Sequence, residues 1–89
     1  MDMYMSPEQV RTNAKSLLDQ KTELEKIVSS LSTIIDELPG VWQDAAQQKF
    51  SSDFAQVKPE FDKFCKILGE FADRASQHAD KVEARSEII

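Results

Sequence analysis

The chain is poor in the residues that build tight turns and cross-links. Its 89 residues include two glycines, three prolines and one cysteine, so an internal disulfide is excluded and no Cys/His zinc spacing is present. Two glycines are too few for a turn-rich β protein or a phosphate-binding loop. We therefore expect one all-α domain. A chain this short, with neither a disulfide nor a structural metal site, lies near the lower size limit for an independent core. This favours association with a partner chain.

Positive charge is also scarce, since 11 basic side chains face 16 acidic ones and the net charge is -5. Nucleic acids and anionic membranes select basic surfaces, so we expect neither as a partner. The sequence contains no Gly-x-Ser-x-Gly, Walker, His-Glu-x-x-His or EF-hand pattern. We expect a protein that is not an enzyme, holds no cofactor and no metal ion, and acts by association.

Targeting signals are missing as well. The first twenty residues lack the basic segment followed by an apolar segment that is typical of a secretory signal peptide. No run approaches the ~18 apolar residues of a membrane span. These observations fit a cytoplasmic protein, or export by a route that does not read an N-terminal signal, and composition does not separate the two.

The first helix is predicted over residues 7–38, after an arm at 1–5. Ser6 can cap this helix, and Gln9 completes a capping box three residues later. Apolar residues then recur in alternating steps of four and three, interrupted only by Lys21. Such spacing predicts a stripe that packs against a second helix. The residues assigned to this seam are Leu17, Leu24, Val28, Leu31 and Ile35.

The second helix is predicted over residues 44–83, after a Pro-Gly turn at 39–43 and with Asp44 as its cap. Its apolar residues follow the same spacing, and all five phenylalanines fall on this stripe. Pro59 lies inside the pattern, so we expect a kink there. We expect a frayed tail at 84–89. The residues assigned to the hairpin or dimer seam are Phe50, Phe54, Phe61, Phe64, Leu68 and Phe71.

Two such helices predict an antiparallel helix-turn-helix hairpin, wound gently left-handed. Apolar residues beside the seam leave some apolar surface exposed. The burial in a lone hairpin roughly balances its ordering entropy, so a second hairpin that covers this surface would stabilise the fold. We expect hairpins to pair into a dimeric four-helix bundle. The residues expected beside the seam are Leu18, Ile27, Ile34 and Cys65.

Three single residues have two interpretations each. His78 lies on the second stripe and is interpreted as a packed interface residue, with a pH-sensing interface role as the alternative. Cys65 is interpreted as a small buried apolar residue, with a reactive thiol as the alternative. Trp42, the only tryptophan, either caps the open end of the hairpin or is an exposed aromatic side chain that another protein recognises.

The predicted hairpin with a turn-region tryptophan resembles the WXG family of hundred-residue proteins, which includes the early secreted antigenic target proteins of mycobacteria and relatives in other Gram-positive bacteria. The resemblance covers the opening MSPEQVR, the central VWQDAAQQKFSSDF and the KPEFDKFCKIL stretch. Trp42 matches the family's tryptophan, and Asp44 stands where the motif has glycine. Phe50 and Phe54 match the downstream apolar positions. The turn and recognition motif is assigned to Gly40, Trp42 and Asp44.

The resemblance implies homo- or heterodimeric four-helix bundles that are exported folded through a type VII (ESX-type) secretion system. Such a protein is extracellular or on the cell surface, functions as a virulence factor, and meets the secretion ATPase and its membrane complex. The family's Tyr-x-x-x-Asp/Glu signal is absent after the second helix, since the only tyrosine is Tyr4. This favours a partner, either a related hairpin or a larger type VII substrate, that supplies the signal.

Two other functions stay open from the sequence. One is an intracellular coiled-coil adaptor or chaperone that keeps a larger helical partner soluble. The other is a membrane-active bundle, which the acidic charge disfavours.

Overall fold

The computed structural model describes residues 4–88, with side chains described through residue 85. It consists of helix α1 (Pro7–Glu37), a 3-10 turn (Leu38–Gly40) and helix α2 (Ala45–Ile88), with no strand in the described range. The predicted all-α fold of two helices joined by a turn is confirmed. Within the described range, neither helix combines the length and the apolar character needed to cross a membrane.

Both helices begin at the predicted caps. The Ser6 hydroxyl accepts a hydrogen bond from the Gln9 N–H at 3.4 Å, and the Asp44 carboxylate accepts one from the Gln47 N–H at 2.9 Å. Each cap satisfies a backbone donor that has no partner inside its helix. These local hydrogen bonds explain why the starts of both helices could be predicted.

The ends of the helices differ from the prediction. α1 ends at Glu37, because the next three residues tighten into the 3-10 turn. α2 is a single helix through Pro59 and continues to Ile88, so residues 84–88 are helical rather than irregular. The kink expected at Pro59 stays a prediction. Residues 1–3 of the predicted arm and residue 89 of the predicted tail lie outside the described residues.

The chain divides into two compact units, each built from a segment of α1 and a segment of α2. In the terminal unit, residues 4–21 and 67–88, the two segments run antiparallel. The Arg11 guanidinium donates to the Asp80 carboxylate at 3.0 Å and also to Glu83. Further along, the Lys21 side chain passes over Gly69, where an added Cβ would lie 3.1 Å from Cε. Small buried side chains fill the core between the segments: Ala14, Ala72 and Ala79.

The turn unit, residues 22–66, has a core that is apolar on α1 and mixed on α2. Val28 and Ile35 are buried on α1, and Cys65 is buried on α2 with 6% of its surface exposed. Gln47 is also buried, and its side-chain amide donates to the Ser51 hydroxyl at 2.6 Å. This hydrogen bond offsets the cost of removing the amide from water.

Three rows of residues, each in steps of seven along α2, show which side of this helix faces α1. The inner row is buried or half-buried, the shared row is mostly half-buried, and the outer row is exposed throughout. The inner row is Ser51, Lys58, Cys65, Ala72 and Ala79. The shared row is Phe54, Phe61, Leu68, Ala75 and Val82. The outer row is Phe50, Val57, Phe64, Phe71 and His78.

The predicted stripe on α2 combined the shared and outer rows, whereas the inner and shared rows face α1. The predicted seam on α2 was therefore displaced by one row around the helix. The prediction that Cys65 lies beside the seam is wrong, because Cys65 lies on the inner row. The expected burial of Cys65 is confirmed by its 6% exposure. The physical reason is side-chain size: alanine and cysteine allow two helix backbones to approach closely, while Phe64 and Phe71 would hold them apart.

Candidate functional site: the tryptophan turn and the apolar face

Backbone hydrogen bonds hold the turn that carries the only tryptophan. The N–H groups of Val41 and Trp42 both donate to the Leu38 carbonyl, at 2.9 and 2.8 Å. The Gln43 side-chain amide donates to the Pro39 carbonyl at 2.7 Å. These bonds satisfy carbonyls at the end of the first helical segment and fix the path of the chain toward α2.

Gly40 contributes little to this geometry. Its φ is not positive, and a Cβ added there would meet no atom within 4 Å. The turn therefore does not depend on a left-handed glycine, because the 3-10 conformation needs only ordinary backbone angles.

Asp44 joins the tryptophan to the start of α2. Its carboxylate accepts the backbone N–H of Gln47, the indole N–H of Trp42 and the backbone N–H of Ala46. The Gln47 hydrogen bond is the largest cause of a lowered Asp44 pKa, the Trp42 bond adds to it, and partial desolvation opposes both. Glycine at this position could neither cap the helix through a side chain nor orient the indole.

The Trp42 side chain is therefore held in place and partly accessible, with 40% of its surface exposed, next to a nearly fully exposed Val41. Both interpretations of Trp42 draw on this geometry, since part of the ring packs on the chain and part faces solvent. An oriented aromatic ring that keeps an accessible edge suits recognition by another protein.

The turn unit has one apolar side, which we call the apolar face. Its residues come from both helices and are all exposed, although each is large and apolar: Ile27, Leu31, Ile34, Phe50, Val57, Phe61 and Phe64. On α1 the isoleucines lie one residue before the buried Val28 and Ile35. In a helix, the residue just before a buried residue lies on one flank of the buried row, and the residue four positions after that buried residue lies on the other flank.

The opposite side of the turn unit is polar. Glu25, Ser29 and Ser32 of α1 border one groove there, together with Lys58 and Asp62 of α2. Lys58 and Asp62 also form an ion pair at 3.5 Å. The unit is thus amphipathic, with charged and hydroxyl groups on one side and aromatic and branched side chains on the other.

The predicted seam residues separate into three classes of burial. Two are buried, four are half-buried and five are exposed. The buried residues are Val28 and Ile35; the half-buried ones are Leu17, Leu24, Phe54 and Leu68; the exposed ones are Leu31, Phe50, Phe61, Phe64 and Phe71. His78 is exposed as well, on the outer row.

Sequence reasoning missed the Trp42–Asp44 hydrogen bond and the buried Gln47. The spacing of the small residues Cys65, Ala72 and Ala79 in steps of seven was a usable signal for the inner row. Within residues 4–88, no three His, Cys, Asp or Glu side chains form a group that could hold a metal ion.

Comparisons with known proteins agree with this geometry. Residues 2–86 match the WXG100 family, described as proteins of 100 residues with WXG. The type VII secretion system extracellular protein A of Staphylococcus aureus strain USA300 is 28% identical over 85 residues, which cover 96% of this chain and 88% of the relative.

Solved structures share the fold. EsxA of Geobacillus thermodenitrificans superposes with a TM-score of 0.86 at 20% identity, covering 93% of this chain and 91% of that chain. The secreted protein EsxB of Bacillus anthracis gives a TM-score of 0.78 at 26% identity, covering 91% and 93%. Because the family match spans nearly the whole sequence, this helical-hairpin protein belongs to the WXG100 family.

Proposed function

We propose that this protein is a substrate or co-substrate of a Gram-positive type VII secretion system, exported folded and acting by pairing with a related helical hairpin or a larger type VII substrate. The observation that carries the proposal is the apolar face, in a chain whose relative is a type VII extracellular protein. The role requires no catalytic step, cofactor or metal ion.

Pairing follows from the size and composition of the apolar face. Scattered exposed apolar residues are ordinary, but contiguous patches of large ones mark interaction sites. Here three phenylalanines and three β-branched residues share one side of the turn unit: Phe50, Phe61, Phe64, Ile27, Ile34 and Val57. Burying a large apolar side chain fully is worth about 1.5–3 kcal/mol, and roughly half of each of these side chains is still exposed, so a partner that covers this side gains roughly half of that value per residue.

The tryptophan turn is the proposed contact for the secretion machinery. Its hydrogen bonds hold Trp42 in one orientation before binding, which reduces the entropy lost when a partner engages the ring. The Asp44 carboxylate supplies that orientation in this chain, at the position where the family's motif has glycine.

Export is tested in the native host by comparing culture supernatant and cytosol from strains with and without an active secretion ATPase. The proposal expects the wild-type protein in the supernatant only when the ATPase is active. Trp42→Ala is expected to reduce export while the cytosolic amount and helicity stay unchanged, and Val41→Ala is the matched control for a neighbouring exposed side chain.

Two results would contradict the proposal. Equal supernatant levels with and without the ATPase would show release by another route. Retention in the cytosol of every strain, in a stable complex with another helical protein, would instead support an intracellular adaptor.

A further inference from the structure

The polar side of the turn unit contains a second hollow, which we call the Asp36 cleft. It adjoins the groove described above, since Ser32 and Lys58 border both. Its volume is about 370 Å³, which is enough to receive a long side chain of another molecule. The apolar residues that border it are Ile35, Pro39, Phe54 and Ala55.

The charges around the Asp36 cleft leave one carboxylate uncompensated. Within the described side chains, residues 4–85, the Asp36 carboxylate has no hydrogen-bond or ion-pair partner. Lys58 also borders the cleft, but its ammonium group is paired with Asp62 at 3.5 Å. A cation that entered the cleft would therefore pair with Asp36 without displacing an existing partner.

The hydrogen-bonding groups beside Asp36 favour a ligand that donates. The Ser32 hydroxyl donates its hydrogen to the Val28 carbonyl at 3.0 Å, so its oxygen is left as an acceptor only. The ionised Asp36 carboxylate is likewise an acceptor only. Arginine complements both groups, because its guanidinium carries several N–H donors and no acceptor.

The apolar border of the cleft suits the rest of an arginine side chain. Its three methylene groups lie favourably along apolar surface, and its planar head packs well on an aromatic ring. Phe54 supplies such a ring, and Pro39 and Ile35 supply aliphatic surface. Lysine has the same charge, but its compact ammonium group lacks the planar head.

We propose that the Asp36 cleft receives an arginine side chain of a second partner protein. The guanidinium donates to the Asp36 carboxylate and the Ser32 hydroxyl, and the stem packs against Phe54. Because the cleft and the apolar face lie on opposite sides of the turn unit, a partner on the apolar face leaves the cleft accessible. This inference concerns a different surface from the proposed function and does not depend on it.

Nuclear magnetic resonance titration of the ¹⁵N-labelled protein tests the site directly. The probes are N-acetyl-arginine amide and N-acetyl-citrulline amide, which have nearly the same shape but differ in charge. We expect arginine to shift the backbone amide signals of Ser32, Asp36 and Ala55. The citrulline probe is expected to bind about fivefold more weakly, because it forms no ion pair with the carboxylate.

Two variants, each with a matched control, separate the cleft from general attraction of a cation to an acidic protein. Asp36→Asn is expected to weaken arginine binding about fivefold, whereas Glu37→Gln, which changes an exposed carboxylate outside the cleft, is expected to alter it less than about twofold. Ala55→Tyr fills the cleft and is expected to abolish the Ser32 shift. Gln56→Tyr adds the same ring at an exposed position outside the cleft and is expected to preserve that shift. Circular dichroism checks that each variant stays helical.

Three outcomes would overturn the inference. These are equal binding of the arginine and citrulline probes, equal effects of Asp36→Asn and Glu37→Gln, or an arginine shift that survives in Ala55→Tyr. A probe of N-acetyl-lysine amide that bound as tightly as the arginine probe would overturn the choice of arginine. None of these results bears on export or on pairing through the apolar face, so the proposed function is tested separately.

Discussion

Two adjacent residues of α2, one buried and one exposed, are expected to respond differently to substitution, and the difference tests which side of α2 faces α1. Ala72 lies on the inner row with 0% of its surface exposed, and Phe71 lies on the outer row with 61% exposed. Ala72→Leu inserts a branched side chain where α1 approaches closely, and overpacking of this kind costs about 1–3 kcal/mol. We expect the variant to have a lower free energy of unfolding and to lose its helicity at a lower temperature.

Phe71→Ala removes a much larger side chain and is expected to cost less in the dilute protein. Roughly two-fifths of the Phe71 surface is covered, which corresponds to about 1 kcal/mol of burial. The higher helix propensity of alanine offsets about half of this loss. The expected net cost is about 0.5 kcal/mol.

Urea unfolding followed by circular dichroism, at several protein concentrations, separates the two effects. Ala72→Leu is expected to lower the midpoint at every concentration. Phe71→Ala is expected to remove much of the rise in midpoint with concentration, because it weakens the species that mass action stabilises. A larger loss for Phe71→Ala than for Ala72→Leu in the most dilute samples would refute the register described above.

Three further predictions concern local contacts. Because hydrogen bonds lower the folded-state pKa of Asp44, its stabilising contribution is present above the ordinary aspartate pKa and is lost as pH falls through the lowered value; thermal unfolding of Asp44→Asn should show this pH dependence removed. Gly40→Ala should leave the melting temperature unchanged or stabilise the protein by up to about 1 kcal/mol, and a loss would contradict the open space at that site. Arg11→Ala should lower the melting temperature in low salt and less in high salt, as measured by calorimetry, because it breaks ion pairs with Asp80 and Glu83.

The helices could be predicted because their signals are local. Ser6 and Asp44 each offer a side-chain oxygen to an N–H three residues later, and no distant contact is needed to form that bond. The register of α2 could not be predicted from the spacing of apolar residues without regard to their size, because three neighbouring rows carry apolar residues and any adjacent two fit steps of four and three. The choice depends on size: Ala72 admits a close helix and Phe71 does not.

In the candidate site, too, some features could be predicted from local sequence signals and others depend on how the chain packs. The position of Trp42 in a turn could be predicted from the Pro-Gly signal between the two helical patterns, and apolar surface beside the seam was expected at residues 27 and 34. The contact of the indole with Asp44 depends on the path of the chain between the 3-10 turn and α2, which sequence spacing does not specify. The apolar face likewise required the register, since only then do the phenylalanines lie outside the hairpin.

The most direct test of the account is whether the exposed phenylalanines pair rather than fill the interior. Phe64, with 49% of its surface exposed, is the central aromatic residue of the outer row. Sedimentation equilibrium and circular dichroism should find a helical dimer for the wild type and a helical monomer for Phe64→Ser at the same concentration. A Phe64→Ser variant that still dimerises with wild-type affinity would contradict the account.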